Sequence, residues 1–359
     1  MNTTMNNKKR NVLIFFGGCS SEYSISLSSA SGVILNLDQD RYEPVTVGIT
    51  REGRWYYYTG SAEKILNDTW LDEKFCTPCV LSPSRGDRCL FLLKEAGMER
   101  VPVDIALPVL HGRNGEDGTL QGLLELADIP LAGCGTLSSA LCMDKDRAHR
   151  LVSLTGIRVP GSLVLSTPIP AVSDLTREIS YQGISYPLYV KPVKAGSSYG
   201  VTKVNTPDEL QDAVLSAFQY DNLVLLEENI EGFEVGCAVL GSSRLTVGEV
   251  DEIQLAGGFF DFTEKYTLKT SSIHVPARIS PEKSAEIKET AKRIYRALGC
   301  SGFARVDMFL TPAGEIVFNE VNTIPGFTAH SRYPGMMKAA GYTFTEILTM
   351  ILEDALCLH

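Results

Sequence analysis

Two segments late in the chain decide the fold: Gly302-Phe-Ala-Arg-Val-Asp-Met-Phe-Leu310 and Glu315-Ile-Val-Phe-Asn-Glu-Val-Asn322. Each segment alternates with the period of two that is typical of a β-strand. Thr311-Pro-Ala-Gly314 stands between them and has the composition of a tight turn. The pattern therefore predicts a β-hairpin.

Four polar side chains of this hairpin are predicted to share one face. Successive side chains of a strand point to opposite faces, so Arg305 lies with Asp307 and Glu320 lies with Asn322. A four-residue loop places Arg305 beside Glu320 and Asp307 diagonally from Glu320. Two carboxylates and an amide are oxygen ligands that suit Mg²⁺, with water and phosphate completing its coordination. A solvated, salt-bridged sheet face is the alternative interpretation.

The composition narrows the class of protein. The chain has 359 residues, of which 44% are hydrophobic and 21% charged, and a net charge of −10; this is ordinary for a globular protein of two or three domains. No basic run exceeds Lys8-Lys9-Arg10, so we expect no nucleic-acid partner. The apolar run that follows is too short for a signal peptide, and no stretch approaches the ~18 residues of a membrane span. Nine scattered cysteines favour reduced thiols in a cytoplasmic protein, with the Cys76-Thr-Pro-Cys79 pair incidental.

The first third of the chain predicts a doubly wound α/β domain. Asn11-Val-Leu-Ile-Phe-Phe16 is a continuous apolar run, which is typical of a buried parallel strand. A Gly17-Gly18 turn and a helix over 21–37 follow it. The strand predicted at 104–110 runs into a glycine-rich loop at 111–122, and ligands of such sheets bind at strand ends of this kind. Residues 71–100 show no clear pattern and are expected to be peripheral.

A second region predicts a phosphate-binding hairpin. A helix over 138–154 is followed by a strand at 187–192 and by the loop Val193-Lys-Ala-Gly-Ser-Ser-Tyr-Gly200, whose N–H groups can turn toward phosphate oxygens. Thr206-Pro-Asp-Glu209 has the pattern of a capping box and predicts a helix to about residue 220. A strand follows at 223–229. The alternative for the glycine-rich loop is a flexible turn, and for a lone lysine beside it a solvated charge.

The last region contains a long segment and a well-marked helix. Residues 251–272 include Gly257-Gly258, Phe259-Phe260 and Glu264-Lys265-Tyr266. A long ordered loop of this kind is usually a lid or a binding loop, with a mobile insertion as the alternative. Ser280-Pro281 begins a helix that ends near Gly299.

Taken together, these motifs resemble the ATP-grasp ligases, and closely the D-alanine–D-alanine ligase family, from about residue 11 to 342. The motifs that carry the resemblance are Gly17-Gly18 with Glu22, His111-Gly-x-x-Gly-Glu-Asp-Gly118, Met143-Asp-Lys145, Lys191-Pro-x-x-x-Gly-Ser-Ser198, Glu264-Lys-Tyr266, Arg305-Val-Asp307 and Asn319-Glu-Val-Asn-Thr-x-Pro-Gly326. The chain also resembles the vancomycin-resistance branch that joins D-alanine to D-serine, of VanG type, at Gly258-Phe-Phe-Asp261 and His330-Ser-Arg-Tyr-Pro334. D-alanyl ligases usually carry an aliphatic residue where Arg332 stands, and D-lactate ligases usually lack the Lys265-Tyr266 pair.

The resemblance implies an α/β fold of three domains. These are a doubly wound N-terminal substrate domain (1–133), a central ATP-grasp domain (134–228) and a C-terminal ATP-grasp domain (229–359) with a lid loop at 255–272. It implies ATP and two Mg²⁺ or Mn²⁺ ions as cofactors, D-alanine and D-serine as substrates, and a D-alanyl phosphate intermediate. We also expect a homodimer.

The resemblance further implies a role for each site residue. The implied metal ligands are Asp307, Glu320 and Asn322. The implied ATP contacts are Lys145, Lys191, Ser197, Glu227, Glu228, Glu234 and Lys265. Glu22, Ser197 and Tyr266 would form a hydrogen-bonded triad, and Arg305 with the Gly326 N–H would stabilise the oxyanion. Glu22 and His111 would hold the first D-alanine, while Asp251, Phe260, Arg305, Ser331 and Arg332 would form the remaining substrate site.

These features favour a D-alanine–D-serine ligase that supplies altered peptidoglycan precursors and low-level vancomycin resistance. The alternative is a D-alanine–D-alanine ligase of normal cell-wall synthesis. A non-catalytic nucleotide-binding regulator is disfavoured because the implied metal ligands are all present.

Overall fold

A computed structural model describes residues 9–166, 172–196, 199–255 and 271–358, in which the strands form three sheets. The strands are β1 (Arg10–Gly17), β2 (Tyr42–Ile49), β3 (Trp55–Tyr58), β4 (Cys76–Leu81), β5 (Cys89–Lys94), β6 (Gly97–Pro102), β7 (Ile105–Pro108), β8 (Ser162–Leu165), β9 (Leu188–Pro192), β10 (Thr202–Val204), β11 (Val224–Glu228), β12 (Phe233–Leu240), β13 (Thr246–Val247), β14 (Asp251–Leu255), β15 (Ser271–His274), β16 (Phe303–Leu310) and β17 (Ile316–Asn322). The helices are α1 (Tyr23–Asn36), α2 (Ala62–Leu66), α3 (Thr119–Leu126), α4 (Thr136–Met143), α5 (Lys145–Ser153), α6 (Val172–Tyr181), α7 (Leu210–Ala217), α8 (Pro281–Ala297), α9 (Arg332–Ala339) and α10 (Phe344–Cys357).

The first sheet has the order β6-β5-β4-β3-β2-β1-β7. β1 pairs in parallel with β2 and β7, as its continuous apolar run predicts, and Val12 to Phe16 are fully buried. The remaining pairs are antiparallel. Residues 71–100, which showed no pattern, supply β4, β5 and β6. Because β6 is almost entirely exposed at the sheet edge, its sequence carries no apolar alternation.

The predicted single helix over 138–154 is wrong. α4 and α5 are separate, because Asp144 between them has an extended backbone (φ −90°, ψ 98°) and its carboxylate accepts a hydrogen bond from the Arg147 N–H at 3.0 Å. An aspartate in this position caps the second helix. The break places Lys145 at the first position of α5.

The capping box predicted at Thr206 is also wrong. The Thr206 side chain makes no capping hydrogen bond, and a 3₁₀ turn at Pro207–Glu209 precedes α7. Glu209 instead accepts a hydrogen bond from the Asn205 N–H at 2.8 Å. The start of α8 is confirmed, since the Ser280 side chain caps it and Pro281 is its first residue.

The second and third sheets are antiparallel, with the orders β10-β9-β11-β8 and β15-β14-β12-β16-β17. The predicted hairpin is present as β16 and β17, but its register is shifted by an irregularity next to Asp307. Asp307 therefore pairs with Glu320, and Arg305 pairs with Asn322. The prediction that Arg305 lies beside Glu320 was wrong, because the alternation of a strand does not reveal a bulge.

One apolar core joins the two ends of the chain. Residues of α1, β1 and β7 pack in it with residues of α9, α10 and the loop after β17. Phe327 of that loop packs its ring against those of Phe303, Tyr333 and Phe344. This core holds the loop after β17 against α1. Among the described residues, no helix is long and apolar enough to cross a membrane. The domain limits stay a prediction.

Candidate active site

A row of residues crosses the third sheet. Gly236 of β12 pairs with Asp251 of β14 on one side and with Asp307 of β16 on the other, and Asp307 pairs with Glu320 of β17. Asp251 and Asp307 are 0% and 1% exposed. Burying ionised carboxylates is costly unless cations or hydrogen-bond donors compensate them. The row therefore requires positive charge close by.

Arg332, the first residue of α9, supplies part of this charge and lies over Gly236. A Cβ atom at Gly236 would come within 2.5 Å of Arg332 Nη2, so a larger residue would displace the guanidinium from this position. Its Nε and Nη2 donate to the two oxygens of Asp251 at 2.7 and 2.8 Å, and Nη1 donates to Glu234 Oε1 at 2.7 Å. Nη2 also lies 3.4 Å from Asp307 Oδ1. Burial lowers the Arg332 pKa, but Asp251 and Asp307 more than offset this and raise it well above its usual value.

Two of these contacts bear on the sequence predictions. The expected ion pair between Arg332 and Asp251 is present. Glu234 was predicted to flank the nucleotide, and the structure places its carboxylate on Arg332. Ser331, which precedes Arg332, lies at the N-terminus of the same helix.

Arg305 occupies the other side of the row. Its Nε and Nη2 donate to Asp307 at 2.8 and 2.6 Å, and Asn322 Nδ2 donates to Asp307 Oδ2 at 2.9 Å. The face thus carries four carboxylates and two guanidinium groups, which leaves two negative charges: Glu234, Asp251, Asp307 and Glu320 against Arg305 and Arg332. An all-oxygen donor set with excess negative charge fits Mg²⁺ or Mn²⁺. Within the described residues, no group of three or more Asp, Glu, His or Cys side chains is arranged to hold a metal ion, so the assignment of metal ligands stays a prediction.

The predicted nucleotide side lies on β9, β11 and the start of α5. Lys191 Nζ donates to Glu227 Oε1 at 2.5 Å, and Lys145 Nζ donates to the Ala195 carbonyl at 2.7 Å. His149, which the sequence did not single out, lies 3.9 Å from Glu227 through Nδ1 and contacts the Asn319 carbonyl through Nε2. Burial lowers the pKa of His149. Two lysines at the base of the glycine-rich loop are suited to phosphate oxygens.

Glu228 does not join this group. Because successive strand residues face opposite ways, Glu227 is buried beside Lys191 and Glu228 points to the other face of β11. There it accepts hydrogen bonds from Arg158 Nη2 and from the Gly161 N–H, each at 2.9 Å. The ATP contact predicted for Glu228 stays a prediction, and the Glu228 side chain lies on the face of β11 opposite to Lys191.

Glu22 lies between two glycine-rich loops. A Cβ atom at Gly112 or at Gly196 would approach Glu22 Oε2 to 2.6 or 2.7 Å, so both loops lie directly against the Glu22 carboxylate. This brings the predicted first-substrate residue to the phosphate loop. Ser197, Phe260, Lys265 and Tyr266, together with most of the predicted lid, lie outside the described residues.

His111 is buried, and its Nε2 lies 3.1 Å from the Ser29 hydroxyl. Burial lowers the pKa of His111 to about 4, with smaller effects from the Ile324 main chain and from Arg305. The imidazole is therefore neutral near pH 7. Its predicted help in binding the substrate ammonium stays a prediction, since its observed partners belong to α1 and to the loop after β17.

Glu116, a residue of the His111 motif to which the sequence gave no role, links two loops. Its carboxylate accepts hydrogen bonds from the Gly112 N–H at 2.8 Å and from the Ile324 N–H at 3.1 Å. Burial raises the pKa of Glu116, and the charges of Glu22 and Glu320 raise it further. Nothing in the local pattern around residue 116 reveals a partner more than two hundred residues away.

Gly326 lies in the same loop and is partly exposed. A Cβ atom there would come within 2.9 Å of Ser331 Oγ. Its N–H donates to no acceptor among the described residues. A main-chain donor held open at the edge of a charged site can stabilise an oxyanion.

Comparisons with known proteins identify the family. The family models for the D-ala D-ala ligase N-terminus and C-terminus match residues 11–134 and 156–353. A crystal structure of the VanG D-Ala:D-Ser ligase from Enterococcus faecalis is 54% identical, with a TM-score of 0.89 over 97% of this chain and 100% of that chain. A putative D-alanine–D-lactate ligase of Streptomyces coelicolor is 46% identical over 96% of both chains. A D-alanine–D-alanine ligase of Caldicellulosiruptor bescii is 41% identical over 97% of this chain and 95% of its own. The chain belongs to the D-alanine–D-alanine ligase family of ATP-dependent ligases.

Proposed function

We propose that this enzyme joins D-alanine to D-serine. The observation that carries the proposal is the buried guanidinium of Arg332, held over Gly236 by Asp251 and Glu234. A guanidinium has five N–H donors. Asp251 takes two of them and Glu234 takes one, so two remain, and one of these faces Asp307. The last one, on Nη1, has no acceptor among the described residues and would donate to the hydroxyl of D-serine.

The reaction begins with ATP and the carboxylate of the first D-alanine. Lys145 and Lys191 lie where they can hold phosphate oxygens, and Glu22 lies where it can hold the substrate ammonium. Asp307, Glu320 and Asn322 would hold the metal ions, which supply charge neutralisation on the transferring phosphoryl group. The product of this step is a D-alanyl phosphate.

The second step is attack by the amine of the second substrate on the acyl phosphate. The negative charge that develops on the carbonyl oxygen can be stabilised by Arg305 and by the open Gly326 N–H. Collapse of the tetrahedral intermediate expels phosphate and forms the peptide bond. An acyl phosphate hydrolyses in water, so closure of the site over it is part of the proposed mechanism.

The nature of the second substrate separates the proposal from its alternatives. A D-alanine–D-alanine ligase needs an apolar wall near the methyl group, and a buried guanidinium is a poor substitute for one. Relatives of this chain include ligases named for D-serine, D-alanine and D-lactate, so similarity alone does not choose among them. The buried guanidinium of Arg332 is the feature that supports D-serine as the second substrate. The proposed biological outcome is peptidoglycan precursors ending in D-serine, with low-level vancomycin resistance.

A coupled assay of ADP release tests the proposed function. ATP, Mg²⁺ and D-alanine are supplied alone and then with D-serine or D-lactate, and the products are identified by mass spectrometry. We expect D-serine to raise the rate of ADP release above that with D-alanine alone, and D-alanyl-D-serine to form. A rate unaffected by D-serine would refute the proposal. No ADP release under any condition would instead favour a non-catalytic nucleotide-binding protein.

A further inference from the structure

Side chains accept hydrogen bonds from several main-chain N–H groups of the loop after β17. The Ile324 N–H donates to Glu116 Oε1 at 3.1 Å, the Phe327 N–H donates to Ser29 Oγ at 3.1 Å, and the Thr328 N–H donates to Ser331 Oγ at 3.0 Å. Residue 325 is proline and has no N–H. The Gly326 N–H has no acceptor among the described residues, whereas the N–H groups of Ile324 and Phe327 on either side of it are hydrogen-bonded to side chains.

Ser29 has an unusual position for a residue that holds this loop. It lies in the middle of α1, in the N-terminal part of the chain, and is 0% exposed. A serine inside a helix commonly bonds to the carbonyl of its own preceding turn. Ser29 instead accepts the Phe327 N–H and contacts His111 Nε2 at 3.1 Å. His111 in turn hydrogen-bonds the Ile324 main chain. Ser29 and His111 therefore contact the loop on both sides of Gly326.

Two further observations show that the loop rests directly on α1. A Cβ atom at Gly32, one turn after Ser29, would come within 2.6 Å of the Phe327 carbonyl oxygen. Behind the loop lies a small apolar cavity, whose lining includes Val33, Ile324 and Leu348. Packing of Phe327 in the apolar core and the hydrogen bond from the Phe327 N–H to Ser29 together fix the position of the loop.

We infer that Ser29, together with His111 and Glu116, is a positioning residue that aims the Gly326 N–H at the carbonyl oxygen of the acyl phosphate. This inference rests on the proposed function, because it assigns an orienting group to the oxyanion donor of that reaction. Ser29 touches no substrate in this arrangement and acts through Phe327 and the peptide unit next to it. The N-terminal part of the chain would thus set the geometry of a donor that belongs to the C-terminal part.

Ser29→Ala is the direct test, with Ser31→Ala as its matched control. Ser31 is also buried in α1 and donates or accepts no hydrogen bond with residues 323–328. Removing an oxyanion donor outright lowers kcat about 10²–10³-fold, so misaligning one should lower it by about ten- to a hundredfold. A phosphinate analogue of the tetrahedral intermediate should bind more weakly to Ser29→Ala by a similar factor. KM for the first D-alanine should change by less than about threefold.

Gly32→Ala supplies a second perturbation that does not remove a hydrogen bond. The added methyl group displaces the Phe327 carbonyl, so kcat and phosphinate affinity should again fall, and the clash with the main chain should also lower the melting temperature. The inference is overturned if Ser29→Ala binds the phosphinate as tightly as wild type does, or if Ser31→Ala loses as much affinity as Ser29→Ala. A wild-type enzyme without ligase activity would overturn the proposed function itself, which the wild-type assay reveals before any variant is made.

Discussion

Replacement of Arg332 by leucine removes the group proposed to recognise the D-serine hydroxyl. One hydrogen bond to a charged donor is worth roughly 1–3 kcal/mol, which corresponds to a change of about tenfold to a hundredfold in relative kcat/KM. Arg332→Leu should therefore shift the ratio of kcat/KM for D-serine to that for D-alanine toward D-alanine by this factor. D-alanyl phosphate formation should be largely spared, since it precedes entry of the second substrate.

The same change should destabilise the protein. Asp251 is 0% exposed and pairs with Arg332 through both oxygens. Removing one partner of a buried ion pair costs about 3–5 kcal/mol, because the other charge is left uncompensated. Arg332→Leu combined with Asp251→Asn should recover part of this loss, as the asparagine oxygen can still accept the hydrogen bond from the Gly236 N–H.

The assay is steady-state kinetics for both second substrates in wild type, Arg332→Leu and the double variant. The ratio of the two kcat/KM values does not depend on the folded fraction, because both are measured on the same preparation. Gly236→Ala is a third variant, which keeps the charge of Arg332 but displaces its guanidinium. Its alanine Cβ would lie 2.5 Å from Arg332 Nη2. A ratio that stays within about twofold of wild type in all three variants would show that Arg332 does not select the substrate.

Two further predictions concern the metal ligands and His111. Glu320→Gln keeps the shape of the site and removes one negative charge opposite Asp307, so it should abolish Mg²⁺-dependent ligation with little change in melting temperature; near-normal turnover would contradict the metal assignment. Burial lowers the pKa of His111 from 6.5 in the unfolded chain to about 4 in the folded protein. Between these two pH values His111 is protonated in the unfolded chain but not in the folded protein, which favours unfolding. The free energy of unfolding should then decrease by about 2 kcal/mol between pH 7 and pH 5 on account of this group, and urea titrations of wild type and His111→Asn should show a smaller decrease in the variant.

Local patterns in the sequence predicted the elements that carry the site, but not their register. The alternation in β16 and β17 placed Arg305, Asp307, Glu320 and Asn322 on one face, because side-chain direction depends only on neighbouring residues. The irregularity next to Asp307 changed which of them are opposite each other. A bulge is defined by how two paired strands align, so the residue pattern of one strand alone does not predict it.

Long-range contacts account for the rest of what the sequence did not reveal. Ser29 and Phe327 are 298 residues apart, and Glu116 and Ile324 are 208 apart. A serine in the middle of a helix has no local feature that marks it as a hydrogen-bond partner of a distant loop. Glu234 shows the same limit, since its pairing with Arg332 depends on how α9 crosses the third sheet.

Competition between the two second substrates tests the central claim most directly. The enzyme is incubated with ATP, Mg²⁺ and equal concentrations of D-alanine and D-serine, and the two dipeptides are quantified by mass spectrometry at early times. The arrangement of Arg332, Asp251 and Gly236 predicts that D-alanyl-D-serine exceeds D-alanyl-D-alanine by about tenfold or more. D-alanyl-D-alanine as the main product would contradict the account.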